Sequence, residues 1–214
     1  MRHARLPSGG QAPRLNRERA LAALHARLLR EFSRRTIEEL RAALPLRLAL
    51  PALEPFLAEN VDKEIRKDAL VIRHAATGAA AGAEREILAA ARRIDREFLA
   101  RLGGPAARIE IPYHRIEPLR ERRIRLGLET ASRILRAWRA RRRVRDAFAP
   151  GELERMLGEM LRLYADETQA LSSGVRLPGV LASLRERIAG RLHEAMLRAA
   201  ASLVRGVPAA TQKG

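Results

Sequence analysis

Residues 62–99 read DKEIRKDALVIRHAATGAAAGAEREILAAARRIDREFL, and this stretch decides the fold class. Its apolar positions alternate in steps of four and three residues, at Ile65, Ala69, Ile72, Ala76, Ala79 and Ala83. After a small change of phase the pattern continues at Ile87, Ala90, Ile94 and Phe98. Such a repeat is typical of helices that pack along one face. It predicts a long central helix, or a helix pair, over residues 61–104.

Two glycines, Gly78 and Gly82, lie four residues apart in the middle of this stretch. They indicate either close packing against a neighbouring helix or a hinge between two shorter helices. We favour close packing. The small residues around them could also form a contact between two copies of the chain.

Helical periodicity extends toward the N-terminus. A helix capped by Asn16 carries apolar residues at steps of three and four, which are Leu21, Leu24, Leu28 and Phe32. Thr36 followed by Glu39 fits a capping box, so this helix is expected to break or restart there. The prolines within residues 45–55 predict turns and one short helix.

Helical periodicity also extends toward the C-terminus. Pro118 opens a helix that is predicted to reach Phe148, and two further amphipathic helices follow. Residues 108–114 alternate like a strand but are too few to found a sheet. The sequence therefore predicts an all-α bundle of five to seven helices. The expected core includes Leu28, Phe32, Ile72, Ile94, Leu135, Leu157 and Ile188.

The expected organisation is one helical domain over residues 16–206, between a disordered basic arm (1–15) and a disordered tail (207–214). The arm has the composition of an organellar transit peptide, although a flexible arm is the simpler interpretation. The 214 residues include no cysteine, which excludes disulfides and thiolate metal sites and makes the reducing cytoplasm the simplest location. No apolar run approaches the roughly 18 residues of a membrane span, so integral membrane association is not expected.

The net charge of +17 is distributed unevenly. Residues 1–35 carry nine arginines and two glutamates, and residues 105–148 carry thirteen arginines and five acids. The segments between and after them are close to neutral. Codon bias would spread arginine over every surface, so this contrast favours a specific anionic partner.

The most basic run is LRAWRARRRVRDAF, residues 135–148, which contains the only tryptophan of the chain. If it is helical, its arginines would line one face and could bridge successive phosphates. The predicted nucleic-acid-binding residues are Arg14, Arg17, Arg19, Arg136, Arg139, Arg142 and Arg143. Trp138 continues an apolar stripe and is expected in the core beneath them. A solvated face, an acidic protein and a membrane surface remain alternatives.

Other charged groups carry less weight. A second basic group, Arg120, Arg122, Arg123 and Arg125, is interleaved with Glu121 and is therefore a weaker candidate for binding. Acid clusters such as Asp62, Glu64 and Asp68 fall among arginines on helical surfaces and are interpreted as ion pairs. No two histidines are spaced as helical metal ligands, and no phosphate-binding loop is present, so neither a metal nor a cofactor is expected.

The sequence therefore predicts a non-enzymatic protein that binds DNA or RNA through the phosphate backbone, without sequence specificity. The alternative is a helical adaptor or assembly subunit. Such a protein would bind an acidic protein partner or form a homo-oligomer through its small-residue seam.

Overall fold

The computed structural model describes residues 12–43, 50–78, 82–103, 110–174 and 180–206. Within these ranges the chain forms six α-helices and one short 3₁₀ helix, Val144–Ala147, and no strand. The α-helices are α1 (Ala12–Ala43), α2 (Leu50–Thr77), α3 (Ala83–Gly103), α4 (Tyr113–Arg139), α5 (Glu152–Ser173) and α6 (Val180–Gly206). The predicted all-α bundle is confirmed. Most of the predicted arm, residues 1–11, and the predicted tail, 207–214, lie outside the described residues.

Five of the helices form a closed ring in the order α1, α2, α4, α5, α6, and α3 packs outside it against α2 and α4. Helices α2 and α4 run parallel, since Arg123 contacts Glu64 and Arg139 contacts Ala76. The other neighbours in the ring are antiparallel. The end of α4 and the start of α5 therefore share one end of the bundle with the N-terminal half of α1.

The core confirms the helical phases predicted from the sequence. Phe32, Ile72, Ile94 and Leu135 are each less than 5 % exposed, and Leu28, Leu157 and Ile188 are partly buried. Full burial of a Leu, Ile or Phe side chain stabilises a fold by about 1.5–3 kcal/mol, so this face of each helix supplies most of the driving force for packing.

Of the two predicted arrangements, a long central helix or a helix pair, the chain forms the pair, α2 and α3. The favoured prediction of close packing at the glycines is wrong. Gly78 and Gly82 have φ of +75° and +91°, and among the described residues nothing beyond their chain neighbours lies within 4 Å of where their Cβ atoms would be. Glycine is needed at both positions because the chain reverses through left-handed backbone, not because a helix comes close. Ala76 and Ala83 pack into the chain's own core, so these members of the seam are not free for a second copy.

This turn yields a first prediction. Gly78→Ala and Gly82→Ala should each lower the free energy of unfolding by about 1–2 kcal/mol, because an alanine at positive φ is strained even where space is free. Urea denaturation measures the effect. Gly190→Ala is the matched control: Gly190 lies within α6 with nothing near its Cβ, so alanine should stabilise by about 0.5–1 kcal/mol there. Equal effects at all three positions would contradict the role of the turn.

Several helix boundaries also differ from the predictions. Helix α1 begins at Ala12 rather than at Asn16 and passes through Thr36, whose hydroxyl donates to the Phe32 carbonyl (2.8 Å) instead of capping a new helix. Helix α2 begins at Leu50 and continues through Pro51 and Pro55, where turns and a short helix were expected, whereas Pro45 lies outside the described residues. Helix α4 begins at Tyr113, ahead of Pro118, and ends at Arg139, nine residues before Phe148. In the described part of the chain, no helix is long and apolar enough to cross a membrane.

Candidate functional site

The predicted binding residues collect at one end of the bundle, which we call the basic end. It comprises the N-terminal half of α1, the last turns of α2 and α4, residues 140–151 and the first turn of α5. Leu21 of α1 belongs to the same core cluster as Leu135 and Trp138 of α4. This packing brings together the two segments whose charge excess the sequence shows separately.

The arginine-rich run is not one continuous helix. The Ala140 N–H donates to the Arg136 carbonyl (2.9 Å), Arg141 adopts left-handed φ of +56°, and the Arg142 N–H donates to the Ala137 carbonyl (2.9 Å). The prediction that four arginines share a helical face is therefore wrong. Arg136 and Arg139 lie in the last turn of α4, whereas Arg142 and Arg143 extend from the following turn, and all four are exposed.

A groove of about 360 Å³ lies between the end of α4 and the 3₁₀ helix. Its charged lining residues are Arg133, Arg136, Arg142 and Asp146. The Arg133 side chain already has partners within the chain. It donates to Glu152 (2.7 Å) and to the Ala147 carbonyl (2.6 Å), and it lies over the Phe148 ring. Arg136 and Arg142 are left as exposed guanidinium groups beside a single carboxylate. Such a groove is suited to a phosphate.

Arg139 has a structural contact as well as an exposed position. Its Nη2 donates to the Ala76 carbonyl (2.7 Å) in the last turn of α2. A cation at this point satisfies a carbonyl that the helix leaves without a partner and suits the negative end of the helix dipole. Part of its bonding capacity is therefore used in joining α4 to α2.

The predicted arginines of α1 lie at the same end of the bundle, on the far side of α2 from α4. Arg14 lies in the first turn of α1, Arg17 is half-buried and Arg19 is exposed. Trp138 was expected in the core and is half-buried: it packs against the core cluster that contains Leu21 without being fully enclosed.

Away from the basic end, the bundle holds an ionic cluster that the sequence interpretation missed. Four cations and four acids, none more than 8 % exposed, fill the space between α2, α3, α4 and α5. They are Lys63, Glu64, Lys67, Asp68, Asp95, Arg120, Arg123 and Glu167. We call this the internal ionic cluster. Its charges sum to zero.

Contacts within the internal ionic cluster link different helices. Lys67 donates to Glu64 (2.8 Å) on its own helix and to Asp95 (2.6 Å) on α3. Arg120 donates to Asp95 (2.6 Å), and Arg123 donates to Glu167 of α5 (2.7 Å) and to Glu64. Arg120 and Arg123, which the sequence offered as part of a second and weaker basic group, are therefore buried. Two of the arginines that contribute to the charge excess of residues 105–148 are neutralised inside the fold.

The internal ionic cluster shifts the pKa values of its members in opposite directions. Burial opposes the charge of Arg123, but the carboxylates of Glu167, Glu64 and Asp68 outweigh burial and raise the pKa of Arg123. Lys63 has poorer geometry, 3.2 Å from Glu64 and 3.6 Å from Asp95. Burial and the charge of Lys67 therefore lower the pKa of Lys63 from 10.5 to about 8.

The interior offers no room for an organic substrate at the cavities that border this cluster. One cavity of about 10 Å³ borders Lys67, Arg120 and Arg123, and one of about 20 Å³ borders His25, Asp68 and Tyr164. Each has space for about one water, whereas ligand pockets are typically 300–1,000 Å³. Among the described residues, no group of three or more histidine or acidic side chains could hold a metal ion.

No protein-family model, no curated protein and no solved structure matches this chain.

Proposed function

We propose that the protein is a non-enzymatic nucleic-acid-binding protein that contacts the phosphate backbone through the basic end. The contacting residues would be Arg14, Arg17, Arg19, Arg136, Arg139, Arg142 and Arg143. Arginine suits this role because its planar guanidinium donates two hydrogen bonds at once to a phosphate. Contacts of this kind position the protein on the nucleic acid without specifying a sequence.

One observation supports this proposal above the others. Residues 136–146 contain six arginines and one aspartate, and the side chains of Arg141, Arg142, Arg143 and Arg145 form no ion pair with any described residue. Many arginines elsewhere on the bundle are paired with acids: Arg34 with Glu31, Arg66 with Glu97, and Arg162 with Glu159 and Asp166. Because no acid neutralises these guanidinium groups, their positive charge can attract an external anion.

The proposal also covers where the protein is located and whether it is an enzyme. We place the protein in the cytoplasm because its chain has no cysteine, and we assign it no catalytic role or cofactor. An acidic protein would be attracted by the same arginines. It is therefore the partner to consider if nucleic acid fails to bind.

The test is the salt dependence of binding. Affinity for DNA or RNA should fall steeply with salt. Replacement of Arg136, Arg142 and Arg143 by alanine should flatten the slope of log K against log salt by up to about 2.7, or about 0.9 per phosphate contact on duplex DNA. Arg139 is left in place because it also holds α2. Fluorescence anisotropy between roughly 50 and 200 mM salt gives the slope.

The matched control removes the same charge from another surface. Arg93, Arg96 and Arg101 are exposed on α3, so their replacement by alanine should change the slope little. If both triple variants flatten the slope equally, binding follows net charge alone and the basic end is not the site. If the wild type binds no DNA or RNA at low salt, the proposed function is wrong.

A further inference from the structure

Every aromatic side chain of this protein has a place in the fold. The chain contains seven, and all lie in the described part: Phe32, Phe98, Phe148 and Tyr164 are buried, and Phe56, Tyr113 and Trp138 are half-buried. At the basic end, Phe148 lies under the Arg133 guanidinium, 4.2 Å from ring centroid to carbon, and Trp138 packs on the core cluster of Leu21 and Leu135.

This placement bears on the kind of nucleic acid that the basic end fits. Proteins that bind single strands combine a basic groove with exposed aromatic rings, and each stacked base contributes about 1–3 kcal/mol. In this protein the basic surface is present, but the rings beneath it are engaged with the fold. The phosphates of a duplex face outward and need no stacking partner.

The arrangement of the arginines also fits two strands rather than one. They form two groups, one on α1 and one at the end of α4, and these helices meet through the cluster around Leu21 and Leu135. In the ring, α2 lies between α1 and α4, so the two groups stand on separate helices. The two strands of B-form DNA likewise present separate rows of phosphates on either side of the major groove, which is about 12 Å wide.

We infer that the partner of the basic end is a double-stranded nucleic acid, held with the α1 arginines on one strand and the arginines of residues 136–145 on the other. This inference rests on the proposed function. It adds that the duplex is held by its two backbones and that no base is unstacked.

The experiment compares a DNA duplex with each of its two separated strands, at equal phosphate concentration, for the full-length wild-type protein. We expect the duplex to bind more tightly by a factor on the order of ten, since a duplex has the higher charge density and releases more counterions per contact. The same comparison with an RNA duplex of the same sequence distinguishes the two kinds of double helix. Variants in the two groups, Arg17 with Arg19 and Arg142 with Arg143, should each weaken duplex binding.

Trp138 gives a second readout, because it is the only tryptophan. Its fluorescence should change little when the protein is saturated with either form, whereas a base stacked on the indole would quench it strongly. Equal or tighter binding of single strands, or strong quenching by them, would overturn this inference and leave backbone binding intact. If neither form binds, the proposed function fails together with it.

Discussion

Replacement of Arg123 by methionine should lower the free energy of unfolding by about 3–5 kcal/mol, the cost of removing one partner from a buried ionic network. The Arg123 guanidinium donates to Glu167 (2.7 Å), to Glu64 and, more weakly, to Asp68 (3.4 Å). Methionine fills similar space without a charge. The carboxylates that Arg123 leaves would remain buried with too few cations.

The neighbouring residue supplies the control. Arg122 pairs with Glu159 (2.9 Å) on the surface, with 61 % of its side chain exposed. Surface ion pairs of this kind contribute about 0–1 kcal/mol, so Arg122→Met should be close to neutral. Both variants remove one positive charge from the same helix. Chemical denaturation followed by circular dichroism compares them, and a loss below about 1 kcal/mol for both would show that the internal ionic cluster is not coupled to folding.

Removal of Lys63, unlike removal of Arg123, should not lower the free energy of unfolding at pH 7. Because the pKa of Lys63 falls from 10.5 to about 8 in the fold, the unfolded chain binds more protons between these two values. Wild-type stability should therefore rise as the pH rises from 8 toward 10.5, by up to about 3 kcal/mol from this group. Lys63→Met should lack that rise and be at least as stable as the wild type at pH 7.

Denaturation across pH 7–10 tests this expectation. The pH range should end near 10 because burial raises the pKa of Tyr164 well above its ordinary value. At higher pH, ionisation of that tyrosine in the unfolded chain lowers the stability of the fold. Arg66→Met, which removes an exposed cation from the same helix, should keep the rise. If the wild type shows no rise, or if Lys63→Met is markedly less stable at pH 7, the charge of Lys63 stabilises the fold and the expected rise in stability is wrong.

The contrast between Arg123 and Lys63 comes from geometry rather than residue class. The planar group of Arg123 reaches acids on both α2 and α5, and these interactions exceed the cost of burial. Lys63 shares its acids with Lys67, which stands closer to both. We therefore expect position within the network to decide whether a buried charge favours or opposes folding.

The fold class could be predicted because helical period is a local property. Phe32, Ile72, Ile94 and Leu135 are buried as their spacing required. The points at which helices end were less predictable. The pair Gly78 and Gly82 suits both close packing and a chain reversal, and only the positive φ values distinguish them. No residue of the run RARRRVR would stop a helix by itself. Because α4 ends at Arg139, the chain turns and places the side chains of Val144 and Phe148 in the core.

The candidate site could be predicted only in part, for a similar reason. Charge counted along the chain located two basic segments, but their meeting at one end depends on tertiary packing. The internal ionic cluster was missed because the partners of Arg120 and Arg123 come from other helices. A signal was present: Ile116, Arg120, Arg123 and Gly127 follow one another at core spacing in α4, so both arginines interrupt an apolar stripe. A charged residue in the phase of the core is the pattern to look for.

The neutrality of the internal ionic cluster has a consequence for the protein as a particle in solution. Since the eight buried charges cancel, the whole net charge of +17 belongs to the rest of the chain, and copies of the protein repel one another. The range of this repulsion is set by the Debye length, about 30 Å at 0.01 M salt and about 8 Å at 0.15 M. The molecule should therefore disperse most readily in dilute buffer, and a polyanion would act as the multivalent counterion that draws many copies together.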